Sequence, residues 1–342
     1  MPALLKEWAM RLPQLQGKRI VSIYFGGGTP TKLAPADYAH LLQIIRSSGL
    51  DIAADCEITL EANPEDVDLP LMRAFALLGI NRVSLGVQSL LDEDLIVLGR
   101  THTANCSLSA ISAVRAAGIS NISIDLMFEL PRQGVSTWKK VLNALHAVPV
   151  THLSLYNLTY EPHTFFFKKR AHHAPLLPSE EERLQMLQMA VQAFEEMGFA
   201  RYEISAFAKP GAESRHNKGY WTGRPFLGFG PSAFSHWEGA RFSNVAHFNH
   251  YLTSLEQGKL PTGFTEQLAY PSNLQELLAV RLRLVEGVDL VPFAVTYGAM
   301  PEAVEVALHK LVDKGWIHKE GTRIRLTAAG QLFYDSVAAE II

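Results

Sequence analysis

The 342-residue chain has only two cysteines, Cys56 and Cys106. Two thiols are too few for a disulfide framework, and no Cys/His zinc spacing can be assembled from them. They also cannot supply the three or four thiolates that hold an iron–sulfur cluster. Taken alone, the cysteine content therefore excludes a disulfide scaffold and an iron–sulfur cluster whose ligands all come from these residues.

The chain also lacks a surplus of one charge and a long hydrophobic run. Its net charge is −3, so the surface has no general attraction for nucleic-acid phosphates. The apolar stretches are much shorter than the roughly 20 residues that span a membrane. The first residues, MPALLKEWAMRLPQL, do not form a secretory signal peptide. We expect a cytoplasmic protein without a membrane span or bound nucleic acid, and peripheral membrane contact stays open.

What the chain does contain is an alternation of short β-branched runs with longer helical patterns, which is typical of βα units around a parallel sheet. The predicted strands are 20–25, 57–60, 82–87, 122–126 and 152–156. A helix at about 3–12 precedes them, with no strand in front of it. These patterns predict an α/β fold with a partial TIM-like barrel that lacks its first strand.

Three domains are predicted. Residues 1–160 form the βα barrel core, and 161–271 complete the barrel. The last region, 272–342, begins with three helical patterns and continues with a hairpin around Glu320 and Gly321, an order that indicates a small winged-helix-like α+β module. Such modules often bind DNA, but this one has mixed charge, and simple packing is the favoured interpretation.

A glycine triplet, Gly26-Gly27-Gly28, directly follows the first predicted strand. At the carboxyl end of a parallel strand, bare backbone lets a ligand approach closely. The alternative is a tight turn that needs glycine for its conformation. The triplet matches neither the G-x-x-x-x-G-K-[ST] phosphate loop nor G-x-G-x-x-G, so a nucleotide-phosphate cradle is not predicted.

Polar residues stand at the ends of the next three strands: Glu61, Gln88 and Asp125. One such residue commonly only solvates a loop. Several in succession indicate one lined cavity at the carboxyl edge of a barrel-like sheet, where such folds bind substrates. Arg100 adds a planar cation suited to a carboxylate. The set fits a zwitterionic nucleoside, with the carboxylates and the amide for ammonium or ribose hydroxyl groups.

Five segments carry a family resemblance: FGGGTP (25–30), EANP (61–64), SLGVQS (84–89), LGRTH (98–102) and IDLMFELP (124–131). In order and spacing they resemble the radical SAM family that includes oxygen-independent coproporphyrinogen III oxidases and the HemW haem chaperones. The resemblance implies bound S-adenosylmethionine (SAM), a 4Fe–4S cluster and an electron donor. It places Gly27, Gly28 and Thr29 near the methionine portion of SAM. It also implies side-chain contacts to SAM from Glu61, Gln88, Arg100 and Asp125.

A later segment, HNKGYW (216–221), resembles the haem-binding signature of the HemW haem chaperones. The residues of interest in it are His216, Asn217, Tyr220 and Trp221. An imidazole can meet iron or a propionate, and aromatic rings offer flat faces to a macrocycle. The alternative is that the polar residues cap a loop above two core aromatics. The resemblance implies haem and a haem-accepting protein as partners.

The chain departs from the family at one point, because no C-x-x-x-C-x-x-C motif precedes Gly26. One explanation is a truncated start, which we favour since the SAM lining is otherwise retained; the other is true loss of the cluster. No catalytic residue and no metal ligand is therefore assigned, and the chain as it stands is predicted not to cleave SAM. The favoured function is a haem chaperone. The alternatives are an enzyme of porphyrin synthesis resembling the oxidase and an inactive interaction protein.

Overall fold

Seven strands form the main sheet of the computed structural model, in the order β1-β2-β3-β4-β5-β7-β6. Their bounds are β1 Arg19–Phe25, β2 Asp51–Ala62, β3 Arg82–Gln88, β4 Asn121–Phe128, β5 His152–Asn157, β6 Ala200–Glu203 and β7 Ala206–Ala208. Strands β2 to β5 pair in parallel, whereas β7 pairs antiparallel with both β5 and β6. The predicted partial barrel is confirmed.

The structure describes residues 1–160 and 165–342, so the predicted middle domain starts with four residues that lie outside the described part. The chain divides into two units. One unit comprises Val21–Leu42 and Ala54–Glu213 and holds most of the main sheet. The other comprises Met1–Ile20, Gln43–Ala53 and Ser214–Ile342. No helix among the described residues is both long and apolar enough to cross a membrane.

Two parts of the sheet differ from the sequence prediction. Strand β2 begins at Asp51 and not at residue 57. The prediction missed its first half because that half has little burial and no apolar run. After β5 the sheet does not continue with another parallel strand. It ends in the short antiparallel pair β7 and β6, whose three and four residues are too few for a recognisable periodicity.

Helices between the strands cover the sheet. They are α2 Pro35–Ser47, α3 Leu69–Leu77, α4 Asp92–Val97, α5 Ala104–Ala116, α6 Val135–Leu145, α7 Phe165–Lys168, α8 Arg170–His173 and α9 Glu180–Glu196. Helix α6 shows why they pack: Trp138, Val141, Leu142 and Leu145 are buried at helical spacing and form one apolar face. Trp138 is stacked on Phe128 of β4, which places this face against the sheet.

The inner side of the sheet is polar at the amino end of its strands. Arg82, the first residue of β3, is 2% exposed. Its guanidinium donates to Asn121 Oδ1 (2.8 Å) and to the Ala212 carbonyl oxygen (3.0 Å), and lies 3.9 Å from Glu57. A buried charge is tolerated only when it is paired and hydrogen-bonded, as here. The predicted ligand residues lie toward the other end of the strands.

The second unit begins with helix α1, Pro2–Leu15. Its later elements are α10 Arg215–Trp221, β8 Phe234–Trp237, β9 Ala240–Asn244, α11 Phe248–Glu256, β10 Thr262–Gln267, α12 Ser272–Arg281, β11 Val288–Asp289, α13 Leu290–Tyr297, α14 Glu302–Asp313, β12 Ile317–Glu320, β13 Arg323–Leu326, α15 Ala328–Leu332 and α16 Tyr334–Ile341. Strands β12 and β13 pair antiparallel as the predicted hairpin, with β11 on the other side of β13. The predicted C-terminal α+β module is confirmed.

A fully buried carboxylate anchors α1 in this unit. Glu7 accepts hydrogen bonds from Arg11 Nε (3.0 Å), the Gly230 amide (2.9 Å), Asn244 Nδ2 (2.7 Å) and the Tyr251 hydroxyl (2.7 Å). Four donors satisfy a carboxylate that would otherwise be costly to bury. The opening helix is therefore an integral part of a packed unit, although no strand precedes it.

Candidate functional site

The glycine triplet follows β1 and forms a loop that only glycine fits. Gly27 and Gly28 have φ angles of 78° and 67°, in the left-handed region. Gly26 is constrained in another way, because a Cβ atom there would lie 2.5 Å from Tyr24 Cε1 and 2.9 Å from Glu61 Cδ. The bare backbone of this loop therefore packs directly against the carboxylate that ends the next strand.

Glu61 is the next-to-last residue of β2, as predicted for a strand end. One carboxylate oxygen accepts the Gly27 amide N–H at 3.0 Å, and the other accepts the Tyr24 hydroxyl at 2.5 Å. Burial and the adjacent Glu61 charge raise the pKa of Tyr24, so Tyr24 stays a hydrogen-bond donor. The carboxylate is held in one orientation at the glycine loop.

Gln88 is the last residue of β3 and has a φ of 66°, which is uncommon for a residue with a side chain. The pairing of β3 with β4 is irregular between Leu85 and Gln88. A Cβ atom on Gly86 would lie 3.2 Å from Gln88 Nε2 and 3.6 Å from Asn63 Oδ1. The Gln88 amide thus lies over bare backbone beside Asn63. Strained backbone of this kind, which costs on the order of 1–3 kcal/mol, clusters at ligand sites.

The sequence predicted Asp125 at the end of its strand, and this placement is wrong. Strand β4 continues to Phe128 because Met127 and Phe128 pair with β5. Asp125 lies opposite Ser154, whose hydroxyl donates to it. Burial raises the pKa of Asp125 to about 6, and the Glu61 charge acts in the same direction. This carboxyl group changes its charge close to neutral pH.

Arg100 lies in the turn after α4, where Gly99 has a φ of 67° and the Arg100 amide donates to the Leu95 carbonyl oxygen at 2.9 Å. Its side chain is exposed, and its charge opposes the rise in the pKa of Asp125. Thr29 caps the short 3-10 turn Pro30–Lys32. Direct bonds therefore join Glu61 to Gly27, electrostatic coupling links Glu61, Asp125 and Arg100, and Gly28 and Thr29 continue the same loop.

The second predicted segment, 216–221, lies in α10 and forms a helix instead of the loop of the alternative interpretation. Ser214 caps the helix by accepting the Asn217 amide at 3.2 Å, a local signal that favours a helix start. His216 Nε2 is 2.7 Å from the Tyr220 hydroxyl. Burial, with the charge of Arg224, lowers the pKa of His216 to about 4. The imidazole is therefore neutral at pH 7, the form that ligates metals.

One aromatic ring contacts this histidine, and further rings lie next to that one. The Tyr220 ring lies 4.9 Å from the His216 ring and 4.6 Å from the Phe226 ring, both in edge-to-face geometry. The Arg283 guanidinium lies 4.2 Å above the Trp221 ring. Trp221 Nε1 is buried and has no hydrogen-bond partner among the described residues. Flat apolar faces, a neutral imidazole and an unpaired N–H donor suit a macrocycle that carries carboxylates.

The cysteines do not form a comparable centre. Cys56 is buried in β2, and Cys106 is half-buried in α5. Within residues 1–160 and 165–342, no group of three or more His, Cys, Asp or Glu side chains is arranged to hold a metal ion. The described residues offer backbone, carboxylate and imidazole groups of the kinds that suit SAM and haem, and no cysteine cluster is found among them.

Comparison with known proteins shows the family to which the chain belongs. The family model "Radical SAM superfamily" matches residues 2–145, and "HemN C-terminal domain" matches 272–333. Heme chaperone HemW of Bacillus subtilis (strain 168) is 32% identical over 92% of this chain and 84% of its own length. The chain belongs to the HemW/HemN-like radical SAM family. A second relative of this HemW/HemN-like protein, radical S-adenosyl methionine domain-containing protein 1 of Danio rerio, is 41% identical over 67% of the chain and 52% of its own length.

A solved structure supports the same fold. Coproporphyrinogen III oxidase (HemN) of Escherichia coli superposes with a TM-score of 0.85 and 22% identity, over 99% of this chain and 82% of that one. At this identity the likeness concerns the fold alone. It extends beyond the sheet to the C-terminal module of the HemW/HemN-like chain.

Sequence reasoning missed several side chains that shape the site of this HemW/HemN-like protein. Tyr24 fixes Glu61, and Ser154 donates to Asp125. Asn63 and Gly26 were visible only as parts of longer motifs. The usable signal was alternation along the strands: Tyr24 and Ser154 lie on predicted strands, and the tyrosine precedes the glycine triplet by two residues.

Proposed function

We propose that this protein binds SAM at the glycine loop and haem at α10, and that it carries haem to an acceptor protein in the cytoplasm. The observation that carries the proposal is the match to heme chaperone HemW over 92% of the chain. The neutral His216 beside the Tyr220 ring supports it.

SAM would be held beside the glycine loop, which packs against Glu61 only because Gly26 has no side chain. Gly27, Gly28 and Thr29 offer backbone to the methionine portion, and Arg100 pairs with its carboxylate. Glu61, Gln88 and Asp125 accept or donate hydrogen bonds to the ammonium and ribose hydroxyl groups. The role of Tyr24 is to orient Glu61 before the ligand arrives, because its hydroxyl already donates to that carboxylate.

Haem would be held by α10 and its neighbours. His216 is the candidate iron ligand, and Tyr220 with Trp221 supplies ring faces. The Trp221 indole N–H is the candidate donor to a propionate. Asn217 lies in the same helix, where its backbone amide is used by the Ser214 cap. Its side chain is proposed as a polar contact on the resemblance of the segment alone.

A 4Fe–4S cluster, where family members carry one, anchors the methionine end of SAM and supplies the electron for its reductive cleavage. The two cysteines of this chain do not provide its ligands. No SAM-cleaving step and no electron transfer from a donor protein is therefore derived for this sequence. The proposal concerns SAM binding alone.

A haem-transfer assay tests the carrier function. Purified protein is loaded with ferric haem, freed of excess by gel filtration and mixed with apomyoglobin. We expect a haem absorption band that stays with the protein during filtration and is then replaced by the myoglobin spectrum. Haem that separates from the protein on the column, as it does from a non-binding control protein, would contradict the proposal.

An enzyme of porphyrin synthesis is the second candidate, favoured by the HemN C-terminal domain match. Anaerobic reconstitution with iron and sulfide, followed by incubation with coproporphyrinogen III, SAM and a reductant, separates the two functions. We expect no conversion and no stoichiometric four-iron cluster. Conversion would replace the carrier proposal with the enzymatic one.

A further inference from the structure

One buried histidine contacts three segments of the chain that each lie beside a proposed SAM contact. His102 is 4% exposed and lies two residues after Arg100. Its Nδ1 is 3.1 Å from Glu65 Oε2, in the loop that follows Glu61. Its Nε2 is 3.2 Å from the carbonyl oxygen of Val87. The three segments are the turn after β2, the end of β3 and the turn after α4.

Glu65 contacts the segment after Arg100 through both of its carboxylate oxygens. Its other carboxylate oxygen accepts the Thr101 hydroxyl at 2.8 Å, so two successive residues after Arg100 bind one carboxylate. Partial burial alone would raise the pKa of Glu65, yet it is lowered by hydrogen bonds from its own backbone and from Thr101 and by the charge of His102. Glu65 is thus an ionised acceptor under most conditions.

We propose that His102 and Glu65 are positioning residues that hold Gln88 and Arg100 in place for SAM. The inference rests on the proposed SAM site. A neutral imidazole donates from one ring nitrogen and an imidazolium from both, and in either state His102 fills the space between the two acceptors. The effect on Gln88 follows from chain connectivity, because Val87 directly precedes the residue whose φ is strained.

We call the contacts of His102 and Glu65 the clamp. Its physical reason lies in the exposure of Arg100. An exposed arginine loses much side-chain entropy when it binds, so its backbone gains from being fixed in advance. Loops that carry ligand groups are otherwise the least stable parts of a fold. Two hydrogen bonds to a single carboxylate restrict the loop without any contact to the ligand.

His102→Ala provides the test, with His152→Ala as the matched control. His152 is 1% exposed in the same unit, and its ring nitrogens lie 2.7 Å from the Ser123 hydroxyl oxygen and 2.8 Å from the Tyr202 hydroxyl oxygen. Both variants delete a buried, doubly bonded imidazole and lower stability. Amide hydrogen exchange and SAM affinity are measured on the full-length chain. His102→Asn, which keeps a donor near the Nδ1 position, serves as a second variant should the alanine variant not fold.

We expect faster amide exchange in segments 62–66, 86–90 and 98–102 for His102→Ala alone, and SAM affinity about fivefold weaker, as for the loss of one ordinary hydrogen bond. His102→Asn should recover part of both effects. The proposal is overturned if exchange in these segments does not change, or changes equally in His152→Ala. SAM binding of normal strength in His102→Ala would also overturn it. If the wild type binds no SAM yet exchange responds as expected, the clamp stands and the SAM proposal fails.

Discussion

Valine in place of Gly26 is expected to weaken SAM binding by about 100-fold, because overpacking of 1–3 kcal/mol falls on the site itself. The first added carbon would lie 2.9 Å from the Glu61 carboxylate carbon and 2.5 Å from the Tyr24 ring. Glu61 must then leave the position in which Gly27 and Tyr24 donate to it. Isothermal titration with SAM measures the change.

Gly134→Val is the matched control for this substitution. Gly134 lies in the same unit, has no positive φ, and a Cβ atom there meets nothing within 4 Å. We expect this variant to bind SAM like the wild type. Equal binding by Gly26→Val and the wild type would mean that SAM does not use the glycine loop.

The second large effect concerns pH. Burial raises the pKa of Asp125 to about 6, so most molecules carry a protonated Asp125 at pH 5 and an ionised one at pH 7. An ionised carboxylate binds ammonium and hydroxyl groups more strongly. SAM affinity should therefore rise about tenfold from pH 5 to pH 7, as expected for one ionisation. Titrations at several pH values check this result.

Asp125→Asn supplies the control, since it removes the ionisation and should flatten the profile in this range. The free energy of unfolding of the ligand-free wild type should fall as the pH rises, in the direction opposite to SAM affinity. A folded-state pKa above the unfolded value means that the folded state holds the proton longer, so stability falls as pH rises from about 4 to 6. An equally steep SAM profile in Asp125→Asn would show that another group controls binding.

Much of the fold and the site follows from local sequence patterns. Parallel strands end at one edge of a sheet, so polar residues at their ends were expected to converge, and Glu61 and Gln88 do lie at strand ends. The glycine triplet correctly indicated a loop with unusual backbone angles, since two of its residues have positive φ values that favour glycine. Helical periodicity was likewise sufficient for α6 and for the C-terminal helices.

Other features depend on contacts between distant residues and leave no local trace. Glu7 is bonded to Gly230 and Asn244, more than two hundred positions away, and in the sequence it is one charged residue of an amphipathic helix. The prediction ended β4 too early, near Asp125. Pairing with β5 decides where β4 ends, and that pairing is not visible in the local sequence. The haem segment was open to a loop interpretation, although the Ser214 cap that starts α10 was readable.

The central claim is that this chain carries haem at His216, and a haem titration tests it most directly. Ferric haem is added to wild type, to His216→Ala and to His309→Ala, an exposed histidine in α14 that serves as control. The account predicts saturation at one haem per chain for wild type and control. It predicts about tenfold weaker binding for His216→Ala, from loss of the neutral imidazole. Superimposable curves for wild type and His216→Ala, or no saturable binding at all, would contradict it.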